Sequence, residues 1–401
     1  MQKHWVWLAT RSGIGVRGRA ELLRRFGTAE RIYAMDRAAL QAEEGLRRSW
    51  LEPLLDKTLD GAERILAQCD RFDIRLLTYA EPAYPERLRN IADPPALLYY
   101  QGRLPDFDHE AAIAVVGSRR CSAYGLLHAK QFSRLIAASG GLVMSGGARG
   151  IDTMALQSAM DLPEPVVCVL ACGLDIAYPP ENGQLFAQIA SRGCLLSEYP
   201  PGTSPMRGNF PVRNRILSGL SVGVLVVEAS AQSGALITAR LALEQGREVF
   251  AVPGPINAPN SKGCNALIRD GAGLVSEAWD ILSFYEGRFP HKLRRLRAAL
   301  PDLPKGTDAP ETKPVPIPEK QETPRLPVLD VSHGPDGLTD DQLALLRVLP
   351  TDQALLADDA ALQTDIPIRR VLSALTMLEI DGYVRRQGAG SFLRTVELKE
   401  E

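Results

Sequence analysis

The chain has 401 residues, of which 45% are hydrophobic and 23% are charged. This composition excludes a globally disordered chain, and the length predicts two or three domains. A formal net charge of -2 excludes a uniformly basic coat for nucleic acid, so any phosphate binding must come from a local cluster of cations. The apolar runs are too short for a signal sequence or a membrane span, which favours a cytoplasmic protein without a membrane partner.

Cysteine and histidine usage gives no sign of a metal centre. The six cysteines are scattered without a CxxC pair, which favours buried, reduced thiols. Of the five histidines, only His109 and His128 fall in the central region, so few histidine side chains are available for a nucleophile relay or a zinc site. The sequence therefore predicts no metal, no cofactor and no catalytic residue.

Residues 1–75 carry short helical patterns separated by glycines and predict a small helical domain. The predicted helices cover residues 20–26, 29–35, 37–44 and 51–69. Gly13, Gly15 and Gly18 precede or open the first of them, as in a helix-hairpin-helix turn whose backbone amides can bind a phosphate. The alternative interpretation is a tight turn between packed helices.

Residues 76–290 are predicted to form a Rossmann-like α/β domain. Short apolar runs alternate with helical patterns, which is typical of parallel strands buried on both faces of a sheet. The predicted strands cover residues 111–116, 141–144, 166–170, 194–196, 222–227 and 248–252. This βαβ repetition indicates a doubly wound parallel sheet, whose ligand-binding residues should directly follow the strands.

Proline recurs through residues 291–335 and predicts a linker. Residues 336–401 are predicted to form a winged-helix domain, with helices over 338–349, 354–362 and 367–379 and a β-wing around 388–390. Many acidic residues surround Arg369 and Arg370 of the third helix, and duplex reading normally depends on phosphate neutralisation. We therefore expect this domain to have a protein-contact or modulatory role rather than to act as a transcription regulator.

Two glycine-rich loops follow the first two predicted strands and carry arginines. Backbone amides at such helix starts bind anions, and serine and arginine side chains add donors to a phosphate. A single loop of this kind would be weak evidence, but two on adjacent strands favour phosphate binding over simple turn chemistry. The candidate residues are Gly117, Ser118, Arg119, Ser145, Gly146, Gly147 and Arg149.

Later segments add cations and an aromatic ring at the same predicted edge of the sheet. The ring of the GLDIAYP segment can stack on a base, or it can simply pack beside Pro179. The arginines of the FPVRNR segment suit a polyanion, and the alternative is a solvated helix face. Asn265 can contact a ligand or can equally cap a helix. The candidate residues here are Tyr178, Arg213, Asn214, Arg215, Lys262 and Asn265.

In this order the motifs resemble the DNA-processing protein family DprA, also called Smf. The matching segments are GSRRCSAYG, SGGARGID, GLDIAYP, FPVRNRILSGLS, SGALITARLALEQGREVFAVPG and GCNALIRDGA. The resemblance implies a bacterial protein that binds single-stranded DNA, protects it, forms a homodimer through the Rossmann-like domain and loads the recombinase RecA in natural transformation. It implies a DNA pocket formed by Ser118, Arg119, Gly146, Gly147, Arg213, Asn214, Arg215 and Lys262.

The principal alternative is a Rossmann-fold hydrolase that processes nucleotides. The carboxylates of Asp152, Asp175, Glu198 and Glu228 follow or flank the predicted strands and could cleave a glycosidic bond. However, the arginines around Arg213 exceed what one mononucleotide phosphate requires. The sequence therefore favours binding over catalysis.

Overall fold

The computed structural model describes residues 2–296, 327–331, 337–351, 355–386 and 391–399. The chain divides into two compact units, Met1–Pro304 and Lys305–Glu401. Most of the predicted linker, residues 297–326 and 332–335, lies outside the described residues. Among the helices that are described, none is long and apolar enough to cross a membrane. The domain boundaries expected at residues 75, 290 and 335 stay predictions.

Residues 2–71 are mostly helical, as the sequence indicated, but two details differ. The predicted helix over 51–69 is broken in two, and the N-terminal helix was not predicted. Thr28 and Asp36 cap two of these helices, because their side-chain oxygens accept the backbone N–H groups of Arg31 and Ala39. The helices are α1 Gln2–Ala9, α2 Val16–Phe26, α3 Ala29–Ala34, α4 Arg37–Ala42, α5 Leu51–Leu55 and α6 Asp60–Arg71.

Within residues 2–296 a nine-stranded sheet forms the centre of the first unit, and this confirms the predicted Rossmann-like fold. Its order is β1-β2-β6-β5-β4-β3-β7-β8-β9. The strands from β3 onward pair in parallel, whereas β1 and β2 are antiparallel additions that were not predicted. The strands are β1 Arg75–Thr78, β2 Leu97–Gly102, β3 Ala112–Val116, β4 Leu142–Ser145, β5 Val166–Leu170, β6 Cys194–Ser197, β7 Gly223–Val226, β8 Glu248–Ala251 and β9 Gly273–Leu274.

Helices cover both faces of this sheet. Alternate residues of β3 enter different cores: Ile113 and Val115 pack in one, and Ala114 and Val116 in the other. The helices are α7 Glu86–Arg89, α8 Ala123–Ala138, α9 Ile151–Met160, α10 Gly183–Arg192, α11 Asn209–Leu220, α12 Ala235–Glu244, α13 Lys262–Arg269 and α14 Trp279–Leu282. Short 3₁₀ turns cover Arg48–Trp50, Phe107–His109, Pro180–Asn182, Pro259–Ser261 and Ser283–Tyr285. The helices α8 and α9 share the first core with the N-terminal helices, while α11 and α12 belong to the second.

The second unit has its own core of Leu345, Leu375 and Phe392 among others. Thr339 and Gln342 form a capping box at the start of its first helix. The described wing strands pair antiparallel, while the predicted wing tip at 388–390 lies outside the described residues. The elements are β10 Val328–Asp330, α15 Asp340–Val348, β11 Leu355–Leu356, α16 Ala357–Thr364, α17 Ile368–Ile380, β12 Val384–Arg386, β13 Ser391–Arg394 and β14 Glu397–Lys399.

Candidate nucleic-acid interface

An open cleft of about 830 Å³ lies at the carboxyl ends of β3 and β7. These strands are neighbours, but β3 continues through α8 to β4 while β7 continues through α12 to β8 on the opposite side. Ligand sites of doubly wound sheets form at such a switch of direction. The cleft is therefore where the fold predicts a binding site.

Exposed arginines converge on this cleft from two segments. Arg119 and Arg120 lie in the loop after β3, and Arg207 lies ahead of α11. The guanidinium carbon of Arg119 lies 4.8 Å from the centre of the Phe210 ring. Among the residues that the structure describes, none of the three arginines forms an ion pair. Their charge is therefore available to an anion.

Two helices begin at the wall of the cleft. Phe210 and Pro211 belong to the first turn of α11, and Ala235 opens α12. The residues before these helices are Gly208 and Gly234, which have no side chain to cap the first amides. The Ser233 hydroxyl accepts the N–H of Ala235 at 3.3 Å, and the N–H of Asn209 donates to the Met206 carbonyl. The dipoles of the two helices nevertheless favour a negative ligand at this point.

An aromatic pair adjoins the arginines. The rings of Tyr178 and Phe210 both line the cleft, and their centres lie 5.8 Å apart. Tyr178 is half-buried and precedes a cis-proline, Pro179. Aromatic faces beside cations are the usual surface for unpaired bases, because every base can stack on a ring.

The four carboxylates considered for a hydrolase occupy different environments. Among the described residues that line the cleft, Asp152 is the sole carboxylate. Burial raises the pKa of Asp152, and the positive charge of Arg213 opposes this shift. Glu228 instead accepts hydrogen bonds from the backbone N–H and the hydroxyl of Ser122 at 2.8 and 2.6 Å. Asp175 accepts the backbone N–H of Gly202 at 2.9 Å.

Arg213 reaches the cleft wall but is buried, with 4% of its surface exposed. Its Nη1 donates to the carbonyl of Gly146 at 2.6 Å and to the carbonyl of Val169, and its Nε donates to Oδ1 of Asn214. A Cβ atom on Gly146 would lie 2.5 Å from this guanidinium. The glycine of the second loop therefore makes room for an arginine side chain.

Arg215 is also buried, but it does not line the cleft. Its Nη2 lies 2.8 Å from both carboxylate oxygens of Glu198, and its Nε lies 3.5 Å from Asp93. The two arginines of the FPVRNR segment thus have separate surroundings, since residues two apart on a helix point in nearly opposite directions. Both carboxylate oxygens of Glu198, one of the four carboxylates considered for a hydrolase, are thus engaged by Arg215.

Several further predicted residues have partners outside the cleft. The Ser145 hydroxyl donates to the Val115 carbonyl, and the Asn265 amide forms two hydrogen bonds with Gly254. Arg149 is exposed and pairs with Glu181. The remaining two are Gly147, a buried turn residue with φ of +66°, and Lys262, exposed at the start of α13.

The cleft thus brings together about half of the predicted residues: Gly117, Ser118, Arg119, Tyr178, Arg213 and Asn214. The cleft is also lined by residues outside this candidate set: Arg120, Arg207, Phe210, Ser233 and Asn260. Some of these lie within the recognised motifs, directly beside predicted residues. The motifs supply many of the residues that line this cleft, but spacing alone could not decide which side chains face it.

Comparison with known proteins finds matches in both units. The family described as DNA recombination-mediator protein A matches residues 75–286, and the DprA winged helix domain matches residues 332–390. Protein Smf of Synechocystis sp. is 37% identical over 278 residues, which cover 68% of this chain and 70% of that protein. DNA processing protein DprA of Streptococcus pneumoniae is 43% identical over 208 residues, or 51% of this chain and 72% of that protein.

A solved structure is similar as well. The X-ray structure of DNA processing protein A from Streptococcus pneumoniae aligns with a TM-score of 0.63 at 32% sequence identity. The alignment covers 71% of this chain and 98% of that structure. The likeness in sequence therefore extends to the fold.

Proposed function

This chain belongs to the DNA recombination-mediator protein A family, also called DprA or Smf, and from that membership we propose that it binds single-stranded DNA in the cleft. The bound strand is held by its phosphates and not cleaved. In this role the protein protects incoming DNA in the cytoplasm, loads the recombinase RecA during natural transformation, and works as a homodimer.

One observation carries the proposal: three arginines that form no ion pair with any described residue surround a cleft that also contains two helix N-termini and two aromatic rings. Phosphates supply the anions for the first two features, and unpaired bases supply faces for the third. Duplex DNA would present no exposed base face. The combination therefore suits a single strand.

The hydrolase alternative rests on Asp152, which is buried in the cleft wall with a raised pKa. A carboxylate of this kind can act as a general acid. However, its usual companion would be a second free carboxylate, and Glu228 and Glu198 are held by Ser122 and Arg215. We expect prolonged incubation with nucleoside monophosphates to release no base. Release by the wild-type protein that Asp152→Asn abolishes would favour the hydrolase.

Salt dependence tests the binding proposal by counting phosphate contacts. Each neutralised phosphate of a single strand contributes about 0.7 to the slope of log affinity against log salt. Arg119→Ala and Arg207→Ala should each make this slope shallower by about 0.7, for every base composition. Fluorescence titration of a labelled oligonucleotide at several salt concentrations measures both affinity and slope.

The matched control is Arg269→Ala. Arg269 is exposed and lies beside Asp270 outside the cleft, so its loss should leave the slope unchanged. Tyr178→Ala should weaken binding without changing the slope, because a stacked ring releases no counterion. Wild-type slopes in both cleft arginine variants, with folding intact, would contradict the proposal.

A further inference from the structure

A further cavity of about 300 Å³ adjoins the cleft. It is lined by the start of α8 and by the segment between β8 and α13. Asn260 lines both the cavity and the cleft, and its side-chain amide donates to the carbonyl of Arg120 at 3.0 Å. The cavity is thus continuous with the surface that carries the unpaired arginines.

The walls of this cavity are flat and mostly apolar. Tyr124 forms one wall, and the rings of Pro255 and Pro259 form others. The hydroxyl of Tyr124 donates to the Pro253 carbonyl at 2.6 Å, and its ring meets the ring of His128 at 4.2 Å. The tyrosine is therefore fixed in place, yet 37% of its surface stays exposed.

The cavity also contains one charged group. Glu228 lines it with 3% of its surface exposed, and its carboxylate accepts two hydrogen bonds from Ser122. An apolar anchor from a protein partner would offer this carboxylate no further donor, although each of its oxygens can accept more than one hydrogen bond. The edge of a nucleobase carries N–H donors that a glutamate can accept.

We propose that this cavity is a base-binding subsite, which accepts one nucleobase of a strand whose phosphates lie in the cleft. The subsite rests on the proposed function, since it depends on a single strand bound at Arg119 and Arg120. A phosphate at Arg120 directs the adjoining nucleotide toward Asn260. The base then stacks on Tyr124 and points its polar edge toward Glu228. The volume lies at the small end of the range for ligand sites, as suits one base.

An abasic scan tests this subsite on the full-length wild-type protein. The probe is an oligo-thymidylate of about 12 nucleotides, in which one position at a time lacks its base. Loss of one stacked base lowers affinity by about 5- to 150-fold. We expect a loss at the position that occupies the cavity, with an unchanged salt slope.

Variants of Tyr124 then identify that position. Tyr124→Ala should weaken binding of the intact oligonucleotide by at least about fivefold. In this variant, removing the base that occupies the cavity should cause no additional loss of affinity, because the ring on which it stacks is already absent. Tyr124→Phe keeps the ring and should bind like wild type. The control Leu127→Ala removes an exposed apolar side chain from the same helix outside the cavity and should have no effect.

The outcomes separate this subsite from the proposed function. Two results would overturn the subsite alone, provided that the wild-type protein binds normally. One is unchanged binding by Tyr124→Ala. The other is that the loss from each abasic position simply adds to the loss from Tyr124→Ala. Failure of the wild-type protein to bind any oligonucleotide would overturn both. Non-additive losses at one position support the subsite.

Discussion

Replacing Arg213 by alanine should destabilise the protein rather than remove a phosphate contact. Its guanidinium is buried and donates to the carbonyls of Gly146 and Val169 and to Asn214. Hydrogen bonds to a charged group contribute about 1.5–3 kcal/mol each, and they are partly offset by the cost of burying the charge. Removing one partner of a buried charged network typically costs about 3–5 kcal/mol. We expect a loss of that size.

Thermal and urea denaturation measure this loss. At about 2 °C per kcal/mol, the lower figure for large domains, the melting temperature should fall by about 6–10 °C. Arg207→Ala is the matched control, because Arg207 is exposed at the same cleft, forms no ion pair with any described residue and should melt like wild type. At temperatures where the variant is folded, its DNA affinity should keep the wild-type salt slope. A wild-type melting temperature with a slope shallower by about 0.7 would refute this reasoning and make Arg213 a direct phosphate ligand.

Three further predictions concern the support of the site. Gly146→Ala should lower the melting temperature, because the added Cβ meets the buried guanidinium, whereas Gly208→Ala has open space and should not. Arg215→Met should cost about 3–5 kcal/mol in urea denaturation, but the double variant with Glu198→Leu should recover most of this, because the more deeply buried of its two carboxylate partners is then not left unpaired, while the Asp93 side chain is 19% exposed; equal losses would contradict it. Although partial burial acts the other way, backbone N–H groups and a neighbouring arginine lower the pKa of Asp108. Its stabilising effect is therefore present above its unfolded pKa and lost as pH falls through the folded pKa, so Asp108→Asn should flatten the acid limb of stability against pH.

The parallel strands were predictable because burial on both faces leaves continuous apolar runs. The strand at 166–170 was placed to the residue, and Glu248 was identified as the first residue of β8. The antiparallel pair β1 and β2 was missed, since a short apolar run gives no information on strand direction or on its neighbours in the sheet. The helix α1 was missed for a related reason. Trp5, Val6, Trp7 and Leu8 are all buried, so the segment has no amphipathic period.

The sequence could predict which loops lie near the cleft, but not which side chains line it. Glycine-rich loops after adjacent strands lie at one edge of the sheet, so the loop with Ser118 and Arg119 was expected beside the loop with Gly146. In the structure the first loop lines the cleft, whereas Gly146 packs against Arg213. Arg213 and Arg215 looked equivalent in sequence, but the rotation of one helix buries them against different partners. Only tertiary packing decides which arginines remain without an ion pair. Among the described residues of the cleft these are Arg119, Arg120 and Arg207.

The shared core of the N-terminal helices and the sheet limits how the protein can be dissected. Trp7 and Leu23 of the helices belong to the same buried cluster as Tyr99 and Val115 of the sheet. A recombinant fragment that starts at residue 76 would expose the apolar surface these helices cover, and large exposed apolar patches promote aggregation. Loss of DNA binding in such a truncation would then report insolubility rather than a missing contact. Point variants of the full chain are the sound way to map its binding surface.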